Sequence, residues 1–201
     1  MRNILVVNSS ISGEKGQSSQ LIHSFLSALP ASAKVQELDL NQAGLTHLTM
    51  PEIAAWMTPE NDRSADQQQL AAVSDGLIAQ VKAADVILIG VPMYNFGVPS
   101  QLKAWFDRIA RAGVTFKYTD KGPVGLLDDK PVVFFLTRGG LYKDLPQDTQ
   151  TPYLVNFFNF IGLRNLHFIF AEGLNMGAEP AAAALEAARV AIAELRGNLA
   201  A

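Results

Sequence analysis

The 201-residue chain contains no cysteine. That excludes disulfides, thiolate metal ligands and thiol redox chemistry, so any redox role has to be carried by a bound cofactor. No block of basic residues occurs, and 16 Lys and Arg against 19 Asp and Glu leave a formal charge of -3. A stripe that could track a phosphate backbone therefore has no source, and nucleic acid is not an expected partner. The opening apolar run, residues 4–7, is far too short for a membrane span or for the apolar region of a signal peptide, and a cytoplasmic protein is expected. Neither GxxxxGK(S/T) nor GxGxxG occurs, which removes the best support for a nucleoside triphosphate or a Rossmann-type pyrophosphate site. No acidic cluster follows the first apolar run, which argues against a phospho-accepting receiver. The three histidines, His23, His47 and His167, lack metal-ligand spacing, and no metal is expected.

What is present suits one buried core. Hydrophobic residues make up 49% of the chain and charged ones 17%, consistent with a single domain over residues 1–201. Short β-branched and aromatic runs at 4–7, 35–38, 86–91, 132–136 and 166–170 alternate with helical spacings. Leu21, Phe25 and Leu29 fit a first helix; Leu70, Val73, Leu77 and Val81 a second; Leu102, Phe106 and Ile109 a third. Tyr153, Phe157, Phe160 and Ile161 fit a fourth, and Leu185, Ala188, Ile192 and Leu195 a fifth. The alternation predicts an α/β fold with helices on both faces of a five-stranded parallel sheet of order 2-1-3-4-5. Connections 41–63 and 113–130 exceed the usual loop length. They are either surface excursions with local apolar contacts, or covers for a cofactor or a second subunit through Trp56, Met57, Phe116 and Tyr118.

Three loops at strand carboxyl ends carry candidate chemistry. Ser9, Ser10, Gly13, Gly16, Gln17, Ser18 and Ser19 lie between the first strand and first helix, where hydroxyls, backbone amides and the positive helix end can hold a phosphate. The same residues also suit a simple turn and N-cap. Pro92 ends the third strand, the loop Met93-Tyr94-Asn95-Phe96-Gly97-Val98 follows, and Pro99 sits where a helix tolerates proline. Arg138-Gly139-Gly140 follows the fourth strand; paired glycines suit a turn, or let the backbone approach a flat ligand. All three loops belong to strands one, three and four, central neighbours in the expected order, and ligands of open α/β sheets bind at that edge.

These residues resemble a known family. Ser9-Ser10 with Gly16-Gln17-Ser18, Pro92-Met93-Tyr94-Asn95-Phe96, the run from Arg111 to Thr119, Arg138-Gly139-Gly140, Thr151-Pro152-Tyr153-Leu154 and Phe170-Ala171-Glu172-Gly173 look like those of the FMN-dependent NADH azoreductases, also described as quinone reductases. The resemblance spans the chain. It implies a flavodoxin-like three-layer sandwich, working as a homodimer with one non-covalent FMN per subunit and NADH or NADPH as electron donor. It implies that Ser10, Gly16, Gln17 and Ser18 bind the FMN phosphate, that Met93, Tyr94, Asn95 and Phe96 hold the isoalloxazine, and that Thr137, Arg138, Gly139 and Gly140 run along its other edge. Tyr118 and Phe160 match aromatic positions that line the substrate side. No side chain is assigned as catalytic, because flavin N5 carries the chemistry.

The implied activity is a ping-pong cycle in which the nicotinamide leaves before a flat aromatic acceptor takes its place. Quinones need one such cycle, and cleavage of an azo compound to two amines needs two. Tyr142 departs from relatives that have His after the glycine pair and one further residue. The alternative is a flavodoxin-like carrier passing electrons to protein partners, but such carriers are usually strongly acidic and -3 is mild. A flavin-less binding module on the same fold is a third reading.

Overall fold

The computed structural model describes residues 3–200. The main elements run β1 (Asn3–Asn8), α1 (Gln17–Leu26), β2 (Lys34–Asp39), α2 (Met50–Met57), α3 (Ala65–Ala83), β3 (Val86–Pro92), α4 (Ser100–Ile109), β4 (Phe116–Thr119), β5 (Gly122–Gly125), β6 (Val132–Thr137), α5 (Gln150–Ile161), β7 (Leu166–Ala171) and α6 (Ala178–Ala200). The large sheet has the order β2-β1-β3-β6-β7, and every pair in it is parallel. This is the expected 2-1-3-4-5 arrangement, with β6 and β7 as its fourth and fifth strands.

β3 and β6 are buried along their whole length, which is why they read as unbroken apolar runs. Alternate residues of each strand feed two cores. Leu5, Val7, Ile87, Ile89 and Val91 pack with α3, α4 and α5 residues such as Leu77, Trp105, Phe106 and Phe158. Ile4, Val6, Val86 and Leu88 pack with Leu21, Ile22 and Phe25 of α1 and Ala188 and Ile192 of α6. β2 is an edge strand and mostly exposed, so Val35 lies outside the core at 42% exposure. α1 stops at Leu26, short of Leu29, and α3 buries Ala71, Ser74, Leu77, Ile78 and Val81 while Val73 is exposed.

Both long connections contain structure that hydrophobic periodicity misses. Residues 41–63 hold α2, whose start is fixed by a capping box: Glu52 Oε2 accepts from Thr49 N at 2.9 Å and from Thr49 Oγ1 at 2.8 Å. The other Glu52 oxygen accepts from Arg108 Nη2 at 2.6 Å, with both side chains buried. Arg108 also donates to Thr46 O at 2.7 Å and Ala104 O at 3.2 Å, which straps the excursion onto α4. Residues 113–130 hold the antiparallel hairpin β4–β5. The hairpin presses on the end of α5 so closely that a Cβ on Gly125 would lie 2.1 Å from Gly162 N.

The strap should dominate the stability of this region. Glu52→Ala leaves a buried guanidinium without its counter-charge, at a cost of about 3–5 kcal/mol. Lys103→Ala removes the i,i+4 pair with Asp107, whose members are 52% and 32% exposed, and should cost about 0.5 kcal/mol or less. Urea unfolding of both variants checks the contrast; comparable losses would contradict it.

Candidate functional site

Strand register sets the site. Val7 lies beside Ile89, and Pro92 beside Thr137, so the loops that leave β1, β3 and β6 emerge together. Between them lies a cleft of about 380 Å³. Eight expected residues line it: Ser10, Gly16, Gln17, Met93, Tyr94, Thr137, Arg138 and Gly139. Ser12, Lys15, Pro92, Leu174 and Asn175 complete the wall; Pro92 was read from sequence as the end of its strand, and Leu174 and Asn175 were not singled out. Ser18, Asn95, Phe96 and Gly140 belong to the same loops and helix start without lining the cleft wall.

At one end, α1 begins at Gly16 with no side-chain cap. Its first backbone bond is Gln20 N to Gly16 O at 3.0 Å, which leaves the amides of Gln17, Ser18 and Ser19 unpaired within the helix. Among the described residues Ser18 Oγ has no partner; it is buried beside Gly90 of β3, where a Cβ would lie 3.1 Å from it. A Cβ on Gly16 would lie 2.2 Å from Ser10 Oγ, so only glycine lets the helix start approach the β1 loop this closely. Ser10 Oγ accepts from Ser12 N at 3.3 Å and lies 3.4 Å from the Tyr94 hydroxyl, which links this end to the β3 loop. Hydroxyls, free amides and the helix dipole converge on a space suited to a phosphate.

The β3 loop is a tight turn. Tyr94 and Gly97 exchange backbone bonds of 3.1 and 2.9 Å around Asn95 and Phe96, whose φ angles are 51° and 63°. Two successive left-handed residues form the type I′ pattern that usually takes Asn-Gly, and an aromatic residue there is strained. Among the described residues the amides of Asn95 and Phe96 have no protein partner. The carbonyls are held instead: Thr149 Oγ1 donates to Phe96 O, and Gln150 Nε2 donates to Gly97 O at 3.0 Å and Pro92 O at 3.2 Å.

At the β6 end, Arg138 lines the cleft while its guanidinium is turned into the protein. Its side chain is 0% exposed and donates to Asp148 at 2.7 Å, Glu172 at 3.0 Å, Gln150 Oε1 at 3.2 Å and Thr151 Oγ1 at 3.2 Å. The Phe170 ring lies 5.2 Å from its guanidinium carbon. The guanidinium is therefore committed to the fold, and the loop's free donors are the amides of Gly139 and Gly140, which have no protein partner among the described residues. Their carbonyls accept from Asn175 N at 3.0 Å and Gly173 N at 2.9 Å, tying in the loop after β7. Tyr142 stands against Gly140 and meets Phe96 edge-on at 5.5 Å, so the departure from His places a phenol between the two loops.

Tyr118 and Phe160 fall outside this cleft. Phe116 packs on Phe160 at 4.2 Å and edge-on to Tyr118 at 5.5 Å, near the far end of α5. Ten residues of helix separate Phe160 from Gln150, about 15 Å. Of the aromatic patch expected in the long connections, Phe116 is buried and Trp56 half-buried within the chain, while Met57 and Tyr118 are exposed.

The family whose description is a flavodoxin-like fold matches residues 2–195. An FMN-dependent NADH:quinone oxidoreductase of Alteromonas mediterranea is 49% identical over 197 residues, covering 97% of this chain and 98% of that one. The chain belongs to the flavodoxin-like FMN-dependent NADH:quinone oxidoreductase family. A member from Cellvibrio japonicus is 51% identical over 180 residues, 88% of this chain and 90% of its own. Among solved structures, an azoreductase from Bacillus anthracis has a TM-score of 0.88 at 29% identity, covering 98% of this chain and 100% of its own. Among the described residues no helix is long and apolar enough to cross a membrane.

Asp148 gives this network a pH signature. Burial alone would raise its carboxyl, but hydrogen bonds from Arg138 and Thr151, with the Arg138 charge, outweigh burial and hold it below the ordinary 3.8. A depressed carboxyl contributes stability that is fully present above its unfolded value and lost as pH falls through its folded value. Acid melts should show wild-type stability falling below pH 3.8, and Asp148→Asn should be less stable at neutral pH with a shallower acid decline. Parallel pH profiles for the two proteins would contradict this assignment.

Proposed function

We propose that the chain is a single-domain FMN-dependent oxidoreductase of the cytoplasm that takes electrons from NADH or NADPH and reduces quinones, and that it also cleaves aromatic azo compounds to amines. The observation that carries this reading is the unsatisfied donor set around one cleft. It comprises the uncapped α1 start at one end, and the free amide of Gly139, followed by that of Gly140, at the other. A ligand with a phosphate tail and a flat polar ring answers both ends. The names of the relatives from Alteromonas mediterranea and Cellvibrio japonicus agree with FMN as that ligand.

On this reading Ser10, Gly16, Gln17 and Ser18 hold the phosphate. The turn Met93–Phe96 receives the ring, where the Asn95 amide offers both a donor and an acceptor to a pyrimidine edge. Thr137, Gly139 and Gly140 border the other edge, and the two glycine amides stabilise negative charge that develops there. When bound, the flavin supplies two-electron chemistry that no side chain of this cysteine-free chain offers. Donor and acceptor share one open face of the cleft, which requires a ping-pong order.

The working unit on this reading is a homodimer. Met57 and Tyr118 are 81% and 74% exposed on the two long connections, and large apolar groups so placed suit burial by a second copy. Tyr118 and Phe160, remote from the cleft of their own chain, would then line the acceptor side of the partner's cleft.

Initial rates with NADH or NADPH against a quinone and an azo dye, repeated over serial dilution, test the reading. Parallel reciprocal plots are expected, with activity and flavin retention falling together through the dimer dissociation range. Ser18→Ala should weaken FMN more than riboflavin. Intersecting plots, a fully active monomer, or equal losses for the two flavins would each remove the corresponding part of the proposal.

A further inference from the structure

Three carbonyls in and beside the strained turn of the β3 loop are hydrogen-bonded by side chains, and the residues that supply those bonds stand together at the start of α5. Gln150 is 1% exposed. Arg138 Nε can only donate, so the Gln150 oxygen must face it at 3.2 Å, and the Gln150 amide nitrogen must then point the other way. It points at two carbonyls of the loop, Gly97 O and Pro92 O, while the neighbouring Thr149 hydroxyl takes Phe96 O. Three carbonyls around a turn with two left-handed non-glycine residues are thus tied to one helix start. Asp148, Glu172 and Thr151 fix the guanidinium that aims the amide.

We propose that Gln150 is a positioning residue: aimed by Arg138, it latches the 92–97 loop into its left-handed turn before any ring arrives. This rests on the FMN reading above. Without the latch the loop relaxes toward ordinary backbone angles, and part of the binding free energy goes to reordering it. Gln150 touches the loop's carbonyls rather than the ring, so its contribution is to the isoalloxazine end and is independent of the phosphate.

Gln150→Glu tests this directly, because it keeps the side chain's size and the acceptor facing Arg138 but sets a carboxylate oxygen against the two carbonyls. Thr149→Val removes the second tie without touching the buried amide. Flavin-free protein is titrated with FMN and with riboflavin, and hydrogen exchange is followed at the Tyr94 and Gly97 amides, which close the turn. Gln150→Glu should weaken both flavins equally, by about 5- to 100-fold. It should also speed exchange at Tyr94 and Gly97 while β3 and β6 stay protected. Thr149→Val should act in the same direction but less. Wild-type exchange at Tyr94 and Gly97 in both variants overturns the latch, as does a loss confined to FMN. If Gln150→Glu deprotects β3 and β6 as well, Thr149→Val decides alone. Failure of the unaltered protein to bind either flavin would overturn the functional reading instead, and the exchange data would still decide the latch.

Discussion

A guanidinium removed from water has to be answered on every side, and the wall that the β3 and β6 loops give the cleft depends on how Arg138 is answered. Removal from water costs several kcal/mol per ion unless counter-charges and hydrogen bonds replace the lost solvent. Here the replacements come from separate stretches: Asp148, Gln150 and Thr151 at the start of α5, and Glu172 after β7. Neutralising one charge therefore gathers the ends of three strands. Gln150 carries the constraint on to β3, and Glu172 carries it to the β6 loop by accepting from Tyr142 N and Lys143 N, each at 2.9 Å.

The other end of the cleft rests on different physics. There the sheet places the β1 loop beside the start of α1, and glycine at position 16 permits an approach that any Cβ would block. The result is an electropositive pocket of amides and hydroxyls with few charged side chains, open enough for a ligand to enter from solvent. One end of the site is thus a preorganised dipole, and the other is a rigid turn braced from behind. A cofactor that is charged at one end and flat at the other uses both, which is how a fold shared by many proteins acquires a particular redox site.

Much of this was legible in the sequence. The five strands of the large sheet announced themselves because parallel strands covered on both faces carry unbroken apolar runs, and the three loops followed from where those runs stop. α2 and the hairpin were less visible. Their apolar spacing is weak, and the signal that existed, Thr49 followed three residues later by Glu52, is a capping pattern and not a periodic one. The Tyr118 and Phe160 positions could be recognised as aromatic but not located relative to the cleft, because the length of α5 separates them from it. Arg138 was legible as a site residue, and it lines the cleft, but the burial of its guanidinium was not legible. A single arginine beside paired glycines looks the same whether it faces solvent or is buried, and only the later Asp148 and Glu172 reveal which. Gln150 gave no signal at all, since a buried glutamine at a helix start cannot be told from an exposed one without the third dimension.

The most direct test is anaerobic addition of NADH to the purified, flavin-loaded protein, followed by the flavin's visible absorbance. FMN is expected to stay with the protein on gel filtration, to bleach on addition of NADH in proportion to the protein present, and to regain its absorbance when a quinone is added. A protein that releases no FMN on denaturation and binds none when it is supplied, or a bound FMN that NADH leaves oxidised, would contradict it.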